Sequence, residues 1–318
     1  LNQSFLSVYL QLLMDNVTNQ TTLQLLQPGT LWAKTVERTE TALACGALQP
    51  IATESNFIEQ DGIRFLVRVL ANLVRKAAAR VQQAQRQDFN PFLPYDPDLF
   101  VADLSPTHVC LLNKYNVVDY HLLIITREFE AQETLLTQPD FDALWTCLAE
   151  IDGLGFYNSG KTAGASQPHK HLQLVPLPLV PSGDKIPIES ALASAWNGVP
   201  DKTICQSPVL PFQHALMRWN HESENQAQPP AQTIRAAYQQ LLTSLDLYDA
   251  ATAQPKGPYN LLVTREWLLI VPRSQEQFAS ISVNSLGFAG TLFVRDQAQL
   301  EQLQAIEPLT LLKAVGVS

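Results

Sequence analysis

Two histidines, His169 and His171, stand two residues apart, and Gln173 follows at the same interval. They lie in the run GASQPHKHLQLVP, residues 164–176. In an extended strand successive side chains point to opposite faces. The spacing therefore predicts a row of His169, His171 and Gln173 on one face, with Lys170, Leu172 and Leu174 on the other. A loop of small residues, 160–166, leads into this strand. A neutral imidazole attacks phosphorus without needing a base to strip its attacking nitrogen. Its other nitrogen can donate to a backbone carbonyl, which fixes the tautomer. A flanking histidine and an amide can donate to oxygens that gain charge in a transition state. Free N–H groups of the glycine-bearing loop can cradle further phosphates. Two rival readings stand beside this one. His-x-His on a strand offers two metal ligands, although zinc needs a third and usually a fourth, and none lies at a telling distance. Alternatively, both rings are structural and hydrogen-bonded. Spacing alone leaves all three open.

The elements that must position this row follow from periodicity and turn residues. Apolar residues at helical spacing predict helices over 5–13 and, less clearly, 31–44. After the Asp61-Gly62 turn comes a strand at 63–69. Residues 72–87 are polar and basic, read as a solvated helix or loop, and residues 90–97 hold three prolines. Strands are predicted at 108–114 and 121–126, adjacent and antiparallel, then a helix at 139–151 opened by Thr137 and Asp140. A strand at 154–158 precedes the loop and the histidine row. Four prolines within 176–187 mark a boundary. Beyond it come helices at 188–196, 233–245 and 297–306, with strands at 214–219, 259–264 and 267–272. Strand and helix do not alternate regularly, which favours an α+β fold on a mostly antiparallel sheet. The expected division is 1–185 for the half carrying the histidine row and 186–318 for a second half. LLIITRE at 122–128 echoes NLLVTRE at 260–266, as two related halves would.

Other polar residues have duller expectations. Lys170 faces away from the row and reads as solvated; Lys161, in the loop, reads equally as solvated or as a phosphate contact. His108, His121, His214 and His221 read as capped or core histidines. The four cysteines (45, 110, 147, 205) show no metal-like spacing and read as buried free thiols. With 46% hydrophobic and 16% charged residues in 318, the chain can bury a sizeable core. A net charge of -9 argues against non-specific nucleic-acid binding and polybasic membrane contact. No apolar run reaches about 18 residues, and a cytoplasmic location is the expectation.

YNSGKTAGASQPHKHLQLVP, residues 157–176, resembles the signature of the diadenosine tetraphosphate phosphorylases (ATP adenylyltransferases). These belong to the galactose-1-phosphate uridylyltransferase branch of the histidine-triad (HIT) superfamily. Three further runs agree, in the same order: LLNKYNVVDYHLLIITREFE at 111–130, YNLLVTREWLLIVPRS at 259–274 and NSLGFAGTLFV at 284–294. The resemblance covers residues 48–312 approximately and implies a HIT-like α+β fold. It implies that His171 is the nucleophile that carries AMP, that Gln173 contacts the attacked phosphate, and that His169 supports His171 through a hydrogen bond. Asn158 with Gly164, Ala165, Ser166 and Gln167 resembles the phosphate-binding segment. Asn113 and Lys114 match a pair near the nucleotide, and Lys76 stands at the place of a substrate-binding lysine. Asn284, Ser285, Gly287, Thr291 and Arg295 resemble the segment that closes on the polyphosphate; Arg295 stands where lysine is frequent, which changes donor geometry. HIT hydrolases carry a third histidine where Gln173 stands, so transfer to phosphate or a nucleotide is implied over hydrolysis. The implied reaction cleaves diadenosine tetraphosphate with phosphate to ATP and ADP, reversibly. The implied partners are small nucleotides, with no nucleic acid or membrane, and Mg²⁺ or another divalent cation as helper without a protein ligand motif. The alternatives are a sugar-1-phosphate uridylyltransferase and a non-catalytic nucleotide- or metal-binding module.

Overall fold

A computed structural model describes residues 23–70, 90–219, 231–252 and 254–318. The helix expected at 5–13, the basic stretch with Lys76, and His221 lie outside the described residues.

Helix α1 (Leu31–Cys45) ends where Gly46 takes a left-handed φ of 80°, a common helix stop. Strands β1 (Thr53–Gln60) and β2 (Ile63–Leu70) form a hairpin. Its two turn residues, Asp61 and Gly62, both have positive φ, as a tight right-twisted hairpin requires. Strands β3 (Phe100–Asp103), β4 (His108–Leu112) and β5 (Leu122–Thr126) follow as an antiparallel meander. Helix α2 (Gln138–Glu150) starts as the sequence predicts: Asp140 Oδ2 accepts from both the N–H and the hydroxyl of Thr137. Strands β6 (Gly153–Asn158) and β7 (His171–Pro176) flank the small-residue loop. Next come α3 (Glu189–Ala193), shorter than predicted, β8 (Ala215–Arg218) and α4 (Ala231–Ser244). Two short strands, β9 (Tyr248–Asp249) and β10 (Gln254–Pro255), lead to the hairpin of β11 (Tyr259–Val263) and β12 (Trp267–Pro272). The chain closes with β13 (Gln277–Phe278), β14 (Ile281–Ser282), α5 (Ser285–Phe288), β15 (Thr291–Val294), α6 (Gln297–Ile306) and α7 (Pro308–Val315).

Eight strands make one antiparallel sheet in the order β3-β4-β5-β7-β6-β11-β12-β8. The two echoing runs supply β5 and β11, each third from an edge. Strands from both sides of residue 185 meet in the middle, where β6 pairs with β11. A second sheet, β1-β2-β15, joins β15 to β2 in parallel. The large sheet is buried on both faces, so its strands are apolar almost throughout. One face packs against α1, α2 and α4 through residues such as Phe141, Leu144, Leu172 and Leu174. The other packs against β2, β15 and the last helices through Phe65, Phe156, Val175 and Leu292. Among the described residues no helix is long and apolar enough to cross a membrane. The thiols differ from the expectation: Cys110 and Cys147 are buried, Cys45 is exposed and Cys205 half-buried.

Candidate active site

Alternation holds along β7: Leu172 and Leu174 enter the helical layer, so His171 and Gln173 face the other way. The strand proper begins at His171, and His169 precedes it, paired to Ala131 in a single bridge. β6 and β7 remain paired as far as Phe156 and Gln173. Beyond that a side chain takes over. Gln132 accepts from the His171 N–H at 2.8 Å, and its amide donates to the carbonyls of Asn158 at 2.8 Å and His171 at 3.2 Å. The backbone of His171 is thereby fixed on both sides.

The ring of His171 is 4% exposed. Its Nδ1 lies 2.8 Å from the carbonyl oxygen of His169, so Nδ1–H donates and Nε2 carries the lone pair. Burial pushes the His171 pKa down to about 4, overriding that hydrogen bond, which favours the charged form. The ring is therefore neutral at neutral pH. Phe92 lies against it with ring centroids 5.4 Å apart. These features make Nε2 a nucleophile that needs no deprotonation.

His169 supports its neighbour through its backbone carbonyl, and its ring is otherwise engaged. Nε2 donates to the Thr126 carbonyl at 2.8 Å, and Nδ1 accepts from Asn90 Nδ2 at 2.9 Å. Both ring nitrogens are thus committed, which removes His169 as a donor to phosphate and as the second ligand of a His-x-His metal site. Among the described residues no three His, Cys, Asp or Glu side chains are grouped to hold a metal.

Gln173 Oε1 lies 3.0 Å from His121 Nε2, and His121 Nδ1 lies 3.2 Å from Asn113 Nδ2. Asn113 therefore reaches the site through His121, while Lys114 forms a partly exposed ion pair with Asp96 at 3.6 Å.

Asn158 ends β6 and is buried. Its Oδ1 accepts from Asn260 Nδ2 at 2.8 Å and from the Ser285 N–H and hydroxyl at 2.9 and 2.8 Å. Asn260 Nδ2 also donates to the Ala163 carbonyl at 2.8 Å. Buried Arg273 completes the knot: it donates to Asn260 Oδ1 at 2.6 Å and to the carbonyls of Val283 and Ala163 at 2.9 and 3.2 Å. The small-residue loop is thus tied to the turn that opens α5, where Asn284 Oδ1 caps Leu286 N–H at 3.0 Å. Gly164 (φ +92°) lies at the contact, and a Cβ there would stand 2.7 Å from the Val283 carbonyl. Gly164→Ala should therefore push loop and turn apart and raise the KM of the substrate bound at this loop at least tenfold, measured by initial rates. Gly287 is equally tight, since a Cβ would meet Val283 Cγ1 at 2.6 Å. Ala165 donates its N–H to the Gly160 carbonyl at 3.1 Å; Ser166 is exposed and Gln167 half-buried on the same loop. Thr291 is buried on β15, and Arg295 is exposed just beyond it, in the smaller sheet. Among the described residues neither side chain is hydrogen-bonded to the His171 group.

Lys170 corrects the sequence reading. It is 1% exposed, with Nζ 2.6 Å from Glu130 Oε2 and 3.4 Å from Asp140 Oδ2. Burial alone would raise the Asp140 pKa, but hydrogen bonds from His108 and Thr137 and the Lys170 charge hold it below the usual range. The signal was available: a lysine between the core-facing positions Leu172 and its own strand entry has no solvent to reach. Three more residues were missed, namely Gln132, Asn260 and Arg273. A lone asparagine in the apolar run YNLLV was the clue to Asn260, because a polar group in a doubly buried strand must be hydrogen-bonded.

His121, like His171, is pushed down to a pKa of about 4 by burial. Unfolded, both would titrate near 6.5. Between about pH 6.5 and pH 4 the unfolded chain binds protons that the folded chain refuses. Stability is therefore complete above pH 6.5 and lost as pH falls towards 4. The unfolding free energy should drop between pH 7 and pH 5 by an amount on the order of 2 kcal/mol or more, seen as a lower urea midpoint; equal midpoints would contradict the buried neutral rings.

A strand-borne, tautomer-locked imidazole beside a glycine-bearing loop is an arrangement suited to nucleotidyl transfer. Comparison with known proteins agrees. Residues 20–194 match the Ap4A phosphorylase N-terminal domain family, and residues 208–318 match the ATP adenylyltransferase C-terminal domain family. The chain belongs to the Ap4A phosphorylase (ATP adenylyltransferase) family. It is 29% identical over 240 residues to diadenosine 5',5'''-P1,P4-tetraphosphate phosphorylase 2 of Saccharomyces cerevisiae, covering 67% of this chain and 71% of that protein. Protein APA1 of the same yeast is 28% identical over 213 residues, covering 63% of this chain and 65% of that one. The crystal structure of yeast Ap4A phosphorylase Apa2 superposes with a TM-score of 0.73 at 26% identity, over 90% of this chain and 94% of the other.

Proposed function

We infer that this chain is a nucleotidyltransferase that cleaves diadenosine tetraphosphate with inorganic phosphate to ATP and ADP, reversibly. Family membership supports the reaction class, and the observation that carries the mechanism is the bare Nε2 lone pair of His171, with Nδ1–H held by the His169 carbonyl at 2.8 Å. Nε2 attacks the α-phosphorus of one adenosine end, the bond to the bridging oxygen breaks, and ATP leaves with that electron pair. The product is an AMP–imidazole adduct. An oxygen of inorganic phosphate then attacks the same phosphorus, the P–N bond breaks, and ADP leaves with His171 restored. Two in-line displacements give net retention at phosphorus and ping-pong kinetics. Gln173 donates its amide to the oxygens of the attacked phosphate.

In this reading residues 1–185 supply the nucleophile and the first phosphate contacts, and residues 186–318 complete the sheet and close on the polyphosphate with Thr291 and Arg295. A divalent cation, Mg²⁺ in the first instance, is proposed to arrive on the substrate's own phosphates, since the described residues offer no cage for a resident ion. The four unpaired thiols fit a reducing compartment, and we place the protein in the cytoplasm.

The test is product identification with diadenosine tetraphosphate plus phosphate. Equal amounts of ATP and ADP are expected, together with an acid-labile, alkali-stable AMP adduct when phosphate is withheld. ATP with AMP would mean water is the acceptor, and turnover of UDP-glucose alone would mean a sugar-nucleotide enzyme; either result overturns the proposal.

A further inference from the structure

We propose that His121 is a positioning residue that orients the Gln173 amide, so that its nitrogen and not its carbonyl oxygen meets the substrate phosphate. This rests on the reading that Gln173 faces that phosphate. An amide is nearly symmetric in shape, so packing alone does not decide which end points outward. Facing a phosphate, the two ends differ in sign: Nε2–H attracts the oxygens, and Oε1 repels them.

Four residues settle the direction, and the chain of bonds starts at a group that can only donate. The Tyr115 backbone N–H donates to Asn113 Oδ1 at 3.4 Å. That fixes Asn113 with Nδ2 towards His121, 3.2 Å from His121 Nδ1. Nδ2 is a donor, so Nδ1 must be the acceptor and the ring proton must sit on Nε2. Nε2–H then donates to Gln173 Oε1 at 3.0 Å, which leaves Gln173 Nε2 as the end turned away from His121. His121 is held in place by its backbone as well, since its carbonyl accepts the Asn113 N–H at 2.9 Å. Its ring is buried, 5.7 Å from that of Phe156. Burial keeps the ring neutral, so its Nδ1 stays an acceptor at physiological pH. His121 itself never needs to touch nucleotide. The same reasoning assigns Asn113 a second duty beyond any contact with nucleotide: it sets the His121 tautomer.

The experiment is steady-state kinetics with diadenosine tetraphosphate and phosphate on His121→Phe, His121→Gln, Gln173→Ala and the double variant His121→Phe/Gln173→Ala. Each is first checked for a cooperative thermal melt. His121→Phe keeps the bulk but loses the donor, and it should lower kcat at least tenfold with KM within about threefold. His121→Gln places an amide N–H where Nε2 stood, and it should restore kcat to within about threefold of wild type. Because His121 acts through Gln173, the double variant should be no slower than Gln173→Ala alone. Should His121→Phe fail to fold, His121→Asn, too short to reach Oε1, takes its place in the cycle. A folded donorless variant with wild-type kcat overturns the proposal, as does a double variant whose loss is the product of the two single losses. If Gln173→Ala itself turns over normally, it is the role of Gln173 that fails, and with it the basis for the relay.

Discussion

His171→Ala should lower turnover by a factor on the order of 10⁴ or more, the scale at which removal of a catalytic nucleophile is felt. Among the described residues no other imidazole has a free ring nitrogen beside the His171 ring. The neighbouring His169 ring has its nitrogens bound to Thr126 and Asn90, and freeing either would cost a buried hydrogen bond. The fold should survive the change. Gln132 holds residue 171 through its backbone N–H and carbonyl, and that contact is indifferent to the side chain. The ring also stabilises the fold less than its burial implies, because it is desolvated without any charged partner. The variant should lose part of the acid sensitivity described above, since one ring that refuses protons is gone. Two measurements check this: single-turnover assays with labelled dinucleotide, and urea melts at pH 7 and pH 5. Turnover within tenfold of wild type in a folded protein would end the assignment of His171 as nucleophile.

Arg273→Met should destabilise the protein by about 3–5 kcal/mol, since several buried acceptors lose their donor at about 1–3 kcal/mol each. The guanidinium donates to the carbonyls of Ala163, Val283, Gln275, Glu276 and Val315 and to Asn260 Oδ1. Burial lowers its pKa to about 10, with the Glu276 charge opposing, so it remains charged at neutral pH. Methionine matches the length of the stem and offers no donor, which leaves several carbonyls unpaired in the interior. Lysine should rescue only part of the loss, because three donors on a point charge do not reproduce the planar fork. The same bonds hold the loop before β7 against the turn before α5, so KM for nucleotide should rise along with the loss of stability. Urea unfolding and initial rates measure both. A change below about 1 kcal/mol would show that water replaces the guanidinium there.

The histidine row was legible because a strand repeats every two residues, and that rule is local. It correctly placed His171 and Gln173 on one face and Leu172 and Leu174 on the other. The five-residue strands β4 and β5 were equally plain, being apolar runs between turn residues. β1 was not, since TESNFIEQ has exposed and half-buried positions without clear alternation. α7 was missed although Leu309, Leu312 and Val315 recur at helical spacing on its buried side, because eight residues are too short a run for that pattern to stand out. The site residues that escaped notice share one property: their partners are far away in sequence. Gln132 reaches residues 158 and 171, and Arg273 reaches 163 and 315. Spacing rules do not see such pairs. Lys170 failed for the opposite reason. Its alternation was read correctly, but the far face was taken for solvent when α2 and the strap at Glu130 cover it.

The parallel union of β2 with β15 sets the order in which the molecule can be finished. Leu66 pairs with Thr291 and Val69 with Val294, so the first hairpin lacks its third strand until the chain has grown through Val294. At about 5–20 residues per second of synthesis, that hairpin waits on the order of 10–40 s beside the ribosome with an apolar edge uncovered. Such an interval favours assistance by chaperones during translation. It also means that the enzyme, cut between its two family domains, should not yield a first fragment that folds by itself.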